Sequence, residues 1–252
     1  MTTAIIPSRF GSKRFNGKPL APISGKPMIQ RVYEQAKRAE SISDVIVATD
    51  NDKIFEAVEK FGGRVVKTSD KLRSGTDRVS EAASMLGIGK DEIIVNIQGD
   101  QPAFDPGILD QLVLPFEEDP ALKMTSLARK ITDKSEIDDP KNVKVIFDKN
   151  HFAIYFSRAA IPFPRDRETM VVYYKHLGFY AYKKDFLDNI ASLDSGMYEN
   201  IEKLEQLRVL EHGFKIKISV TRYDAPGVDI PEDIKTIEQY LLNNPDLIKD
   251  LS

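Results

Sequence analysis

The chain has 252 residues, 41% hydrophobic and 30% charged, which suits a globular protein built as one large domain. It holds no cysteine, so disulfides, thiolate zinc sites and cysteine nucleophiles are excluded, and a cytoplasmic setting is expected. The net charge of -3 is spread without a block of like charge, so a nucleic-acid stripe is not indicated. No apolar run nears the roughly 20 residues of a membrane span, and the opening MTTAIIPSRF is too short and too soon charged for a secretory signal.

Residues 3–6 form a short apolar strand ended by Pro7. A loop rich in Gly, Ser, Arg and Lys follows to about residue 26, and Pro27 suits the first position of a helix with Met28, Val32 and Ala36 on one face. Residues 44–50 read as a buried strand with a polar end, 54–61 as a helix stopped by Gly62-Gly63, and Val65-Val66 as a short strand. Residues 77–86 are helical up to Gly87, and 93–97 form a further buried strand ending at Gln98-Gly99-Asp100. Strand–helix alternation through residue 116 predicts a parallel sheet with helices on both faces.

The second half changes character. Residues 143–147 and 152–156 predict a hairpin around Asp148-Lys149-Asn150; 177–182 and 216–220 predict strands. One helix is expected over 198–211, and a last one from about 231 to 242. The expectation is a single domain over 1–252, α/β in class, with a smaller lobe inserted around 120–220.

Polar residues gather where the first strands end, the edge at which open α/β sheets bind ligands. Arg9, Lys13, Arg14 and Lys18 fall close together there with Gly11 and Gly17. Glycines let backbone amides approach an anion, and Arg and Lys bring charge to a polyphosphate. The spacing matches neither a Walker loop nor G-x-G-x-x-G. Asp100 ends a strand at the same edge, and Asp229 lies in Gly227-Val228-Asp229-Ile230-Pro231. Two such carboxylates with phosphate oxygens and water suit Mg²⁺. Taken singly, Asp100 also reads as a strand-end turn, Asp229 as a helix start and the basic loop as a solvated surface.

The stretch Pro7-Ser8-Arg9-Phe10-Gly11-Ser12-Lys13-Arg14-Phe15-Asn16-Gly17-Lys18-Pro19-Leu20 resembles the nucleotide loop of the CMP-Kdo synthetases, the 3-deoxy-manno-octulosonate (Kdo) cytidylyltransferases. The resemblance continues in order through Val47-Ala48-Thr49-Asp50, Ser74-Gly75-Thr76-Asp77-Arg78, Val95-Asn96-Ile97-Gln98-Gly99-Asp100 and Tyr155-Phe156-Ser157-Arg158. His176-Leu177-Gly178, Leu204-Glu205-Gln206-Leu207-Arg208 and Gly227-Val228-Asp229 complete it. It implies a Rossmann-like nucleotidyltransferase sheet, a sugar-binding and dimerisation lobe, and a homodimer. It also implies CMP transfer from CTP to the anomeric hydroxyl of Kdo, with Mg²⁺, for lipopolysaccharide biosynthesis. Pro7, Ser8, Arg9, Lys13, Arg14, Lys18, Ser74, Thr76 and Arg78 would hold CTP. Asp100 and Asp229 would hold metal and, with Arg9 and Lys18, carry catalysis. Gln98, Arg158, His176, Tyr180, Glu205 and Gln206 would face the acidic eight-carbon sugar, with Arg158 forked onto its carboxylate.

Two departures stand beside the sugar site. Gln101 takes the place of the familiar Glu in Gln-Gly-Asp-Glu-Pro. The segment before His176, Val172-Tyr173-Tyr174-Lys175, is short and carries Lys175 where Arg is common. Both resemble the branch that activates 8-amino-3,8-dideoxy-manno-octulosonate. From the residues alone, a nucleotidyltransferase with a phosphorylated acceptor and a non-catalytic nucleotide-binding module stay open.

Overall fold

The computed structural model describes residues 1–11, 14–166 and 168–248. Among the described residues nine strands join in one sheet. They are β1 (Thr2–Ser8), β2 (Asp44–Thr49), β3 (Arg64–Lys67), β4 (Ile93–Asn96), β5 (Met124–Lys130), β6 (Lys144–Phe147), β7 (Ala153–Ser157), β8 (Tyr174–Lys183) and β9 (Lys217–Thr221). The helices are α1 (Met28–Lys37), α2 (Asp52–Lys60), α3 (Gly75–Met85), α4 (Gly107–Val113), α5 (Pro115–Glu118), α6 (Ser135–Asp138), α7 (Lys184–Ser192), α8 (Met197–Glu202), α9 (Gln206–Glu211) and α10 (Asp233–Asn243).

The spatial order is β9-β5-β8-β4-β1-β2-β3, with the β6–β7 hairpin attached beside β8. β4, β1, β2 and β3 are parallel, as expected from their helical crossovers. β8 runs against both β4 and β5, so the second half makes the sheet mixed. Residues 120–220 therefore do not stand apart from the sheet: β5, β8 and β9 continue it, and the hairpin projects beyond.

Alternation along the strands builds a core on each face. Ala4 and Ile6 of β1 join Ile29, Val32, Ile54, Ile108 and Leu112 from α1, α2 and α4. Ile5 points the other way, to Val79, Ala82 and Ala83 of α3 and Phe186 and Leu187 of α7. A smaller cluster of Met28, Ala103, Val228, Ile237 and Leu241 seats α10 against the start of the chain. Each fully buried Ile or Leu contributes about 1.5–3 kcal/mol relative to exposure.

Four local outcomes differ from the sequence reading. β5, α6 and α7 were not foreseen. The helix expected over 198–211 is two short ones, α8 and α9, with Lys203 left-handed between them at φ 56°. A buried ion pair explains the break: Arg208 Nη2 on α9 folds back to Glu199 Oε1 on α8 at 2.6 Å.

Phe104, fully buried, meets Phe179 edge-on with ring centroids 5.2 Å apart. It fixes the chain after Asp100 to β8. Phe104→Ala is expected to lower unfolding free energy by about 3–5 kcal/mol, read from urea melts; a loss under about 1 kcal/mol would contradict this packing role.

Candidate active site

The ends of β1 and β4, the start of α3, the middle of β8 and the loop before α10 border one cleft of about 840 Å³. That size suits a small organic ligand. Gly99 permits a close backbone approach between β4 and β1 beside it: a Cβ there would lie 3.1 Å from the Pro7 carbonyl oxygen.

Loop cations and carboxylates converge at this edge. Lys18 Nζ donates to Asp100 Oδ2 at 2.7 Å and to the Val228 carbonyl at 2.9 Å. Arg14 forks onto Asp229, Nη1 to Oδ2 at 3.2 Å and Nη2 to Oδ1 at 3.1 Å. The backbone completes the junction, Val228 N–H donating to the Asp100 carbonyl at 2.9 Å. Asp233 Oδ2 accepts from the N–H groups of Asp229 and Ile230, fixing the turn into α10. The Arg14–Asp229 pair is largely exposed, so water screens it and either partner exchanges readily. Arg9 and Pro7 also line the cleft. Lys13 lies outside the described residues.

The other expected CTP residues divide. Thr76 lines the cleft and donates from Oγ1 to Glu205 Oε2 at 2.9 Å. Ser74 is committed to capping α3, its Oγ accepting from Asp77 N–H at 3.0 Å. Arg78 reaches the cleft floor but is 1% exposed, donating to Asp50 Oδ2 at 3.0 Å and to Thr68. It braces α3 against the ends of β2 and β3. Ser8 is turned inward, its Oγ buried without a partner among the described residues.

The sugar-side residues mostly assemble. Gln98, His176, Tyr180, Glu205 and Gln206 line the cleft together. β8 carries a bulge between His176 and Tyr180, with Gly178 at φ 69°, a left-handed turn that glycine adopts without strain. The two rings stay on one face, centroids 5.4 Å apart. Arg158 is not brought in: its Nε donates to the Glu202 carbonyl at 2.8 Å and its Nη1 to the Pro140 carbonyl at 2.9 Å. It and Lys144, which donates to the carbonyls of Asp139 and Asn142, hold the cleft wall around 139–142 from behind.

Burial sets the protonation states here. The His176 imidazole is driven down from 6.5 to about 3 by burial. Its tautomer follows from Ser126, a residue without any sequence signal. Ser126 Oγ donates its one proton to the Phe179 carbonyl at 2.7 Å, so it must accept from His176 Nε2–H at 2.8 Å. Nδ1 then accepts from Gln206 Nε2, 3.5 Å away. Burial also pushes the Tyr180 hydroxyl well above its ordinary 10, and the Glu205 carboxyl upward. Tyr180 is thus a donor across the neutral range, and Glu205 is held by Thr76.

A mixed α/β sheet whose parallel half sets loop cations against two converging carboxylates at its carboxyl edge, over a nucleotide-sized cleft, has the architecture of a nucleotidyltransferase. Residues 3–218 match the family described as cytidylyltransferase. The 3-deoxy-manno-octulosonate cytidylyltransferase of Desulfosudis oleivorans is 57% identical over 93% of this chain and 95% of its own. The 8-amino-3,8-dideoxy-manno-octulosonate cytidylyltransferase of Shewanella woodyi is 54% identical over 95% of this chain and 98% of its own. A solved structure of CMP:2-keto-3-deoxy-manno-octonic acid synthetase complexed with CTP matches with TM-score 0.90 at 38% identity, over 96% of this chain and 99% of that one. The chain belongs to the cytidylyltransferase family, among the enzymes for Kdo and its 8-amino form.

Because His176 binds a proton only near pH 3, the unfolded chain, with its ordinary value of 6.5, takes that proton first as pH falls. The stability this burial supports is whole above about pH 6.5 and is lost as pH falls toward 3. Imidazole ¹⁵N spectra are expected to show His176 as the neutral Nε2–H tautomer from about pH 8 to pH 4. A titration midpoint near its ordinary value would refute the buried assignment.

Proposed function

We propose that the protein transfers CMP from CTP to the anomeric hydroxyl of a Kdo-type acid, with a hydroxyl or amino group at carbon 8, and releases pyrophosphate. The observation that carries the reading is the double contact of the phosphate loop with both carboxylates, Lys18 on Asp100 and Arg14 on Asp229. The names of the relatives support the nucleotide and the acceptor class.

In this reading a triphosphate entering along the loop takes over Arg14 and Lys18, with Arg9 alongside. Asp100 and Asp229 are released together. Their oxygen donors suit Mg²⁺, and among the described residues no group of three His, Cys, Asp or Glu forms a closed protein cage. Phosphate oxygens and water would complete the shell. Held there, the ion would supply charge neutralisation at the phosphates and make the attacking hydroxyl more acidic. The chain's own part is positioning: Arg9, Arg14 and Lys18 hold the departing pyrophosphate's charge, Thr76 and Glu205 close the far wall, and Tyr180 donates toward the acceptor. Arg158 could reach a sugar carboxylate only by leaving Pro140 and Glu202.

We further propose a homodimer through the hairpin face. Ile154 on β7 and Met197 and Ile201 on α8 are 57%, 67% and 66% exposed. The Tyr155–Tyr198 ring contact at 6.1 Å places α8 against β7, so these apolar side chains lie on neighbouring elements. The described helices include none long and apolar enough to cross a membrane. A cytoplasmic setting and a supply role in lipopolysaccharide biosynthesis belong to the same proposal and rest on the family resemblance.

Pyrophosphate release with CTP and Mg²⁺, run in parallel on Kdo and its 8-amino analogue, tests the activity. Release with at least one sugar acid is expected, and Asp100→Asn and Asp229→Asn are each expected to lower kcat at least about a hundredfold without unfolding the protein. Near-normal turnover in either variant would remove that carboxylate from the site. Sedimentation is expected to show a dimer that Ile201→Glu weakens; a monomeric parent would overturn the interface.

A further inference from the structure

Gln101 and Lys175, the two residues that depart from the familiar pattern, meet at one junction. Gln101 Nε2 donates to the Leu177 carbonyl at 3.0 Å and to the Ala225 carbonyl at 3.1 Å. Both amide hydrogens are therefore spent on backbone from two different segments. The amide orientation is fixed, because a flip would set its oxygen against two carbonyl oxygens. Lys175 Nζ lies 3.0 Å from Glu136 and 3.5 Å from Asp224, the residue before Ala225. Arg129, directly across the ladder from Lys175, contacts the same Glu136 and Asp224 at 2.8 and 3.1 Å.

Leu177 belongs to the β8 bulge that presents His176 and Tyr180. Ala225 begins the segment that leads to Asp229. The turn carrying Asp100 and Gln101 thus grips the Asp229 segment through Val228 and Ala225, and the sugar wall through Leu177. We infer that Gln101, backed by Lys175 on Asp224, is a positioning residue that sets the distance between the acceptor wall and the Asp229 loop, and so the fit of the acceptor rather than of CTP. Glutamate at this position cannot serve in the same way. An ionised carboxylate has no hydrogen to give and would repel both carbonyl oxygens; a protonated one could donate to a single carbonyl.

The inference rests on the cytidylyltransferase reading, and its test separates the two. Gln101→Met removes both donors without charge, and Gln101→Glu adds the carboxylate. Acceptor KM is expected to rise about tenfold or more in each, the scale of two lost hydrogen bonds, while CTP KM stays within about twofold. Hydrogen exchange on the ligand-free proteins gives a readout independent of turnover. The amides of His176 and Val228, bonded to the Val143 and Asp100 carbonyls, are expected to exchange at least about fivefold faster in Gln101→Met. Unchanged exchange, acceptor KM within about twofold of the parent in both variants, or acceptor and CTP KM rising together overturns the inference. A parent that turns over neither sugar sinks the function reading alone, and the exchange comparison still decides the clamp.

Discussion

Two cations from the loop after β1 and two carboxylates from distant segments neutralise one another at the edge of the sheet, and the cleft takes its shape from that contact. Lys18 is 15% exposed in its side chain, and it spans Asp100 and the carbonyl beside Asp229. Partly shielded charges of one sign would repel if left unpaired; opposite signs close the gap instead. The same groups suit a charged substrate, because a polyphosphate offers the cations stronger partners and leaves the carboxylates to other work. The site therefore holds its ligand-free form with the groups that its ligand would claim.

The other half of the cleft works by burial rather than by charge. His176, Gln206 and Ser126 form a buried hydrogen-bonded group in which the imidazole stays neutral, and Tyr180, whose ring lies beside the imidazole, stays protonated. Such a wall keeps its donors and acceptors fixed over a wide pH range. The two halves meet along the β4–β8 ladder and through side-chain contacts that include Thr76 on Glu205 and Gln101 on Leu177 and Ala225. In the proposed reaction, the relative placement of nucleotide and acceptor would depend on those contacts.

Much of this was legible in the residues. Continuous apolar runs located β1, β2 and β4, because parallel strands buried on both faces have no polar face to interrupt them. Helix ends were marked by Gly62 and Gly87, both at positive φ. The ordered motifs carried the family. What stayed hidden depended on contacts between distant positions. β8 reads as a strand, but its direction is set by neighbours that propensity does not report. The break between α8 and α9 follows from Glu199 and Arg208 pairing, which no local preference announces. Arg158 looked like a substrate ligand by its motif, yet two backbone carbonyls hold it behind the wall.

By itself the sequence determined the class of fold, the sheet edge with the cleft, and the basic loop and acids that meet there, because these depend on local periodicity and on residue chemistry. Only the tertiary structure decided which charges pair, which tautomer His176 adopts, that Ser74 and Arg78 serve as cap and brace, and that Gln101 joins two walls of the cleft. Those outcomes turn on distances of about 3 Å between residues far apart in the chain, within which hydrogen bonds form and beyond which they fail. No one-dimensional pattern encodes such distances.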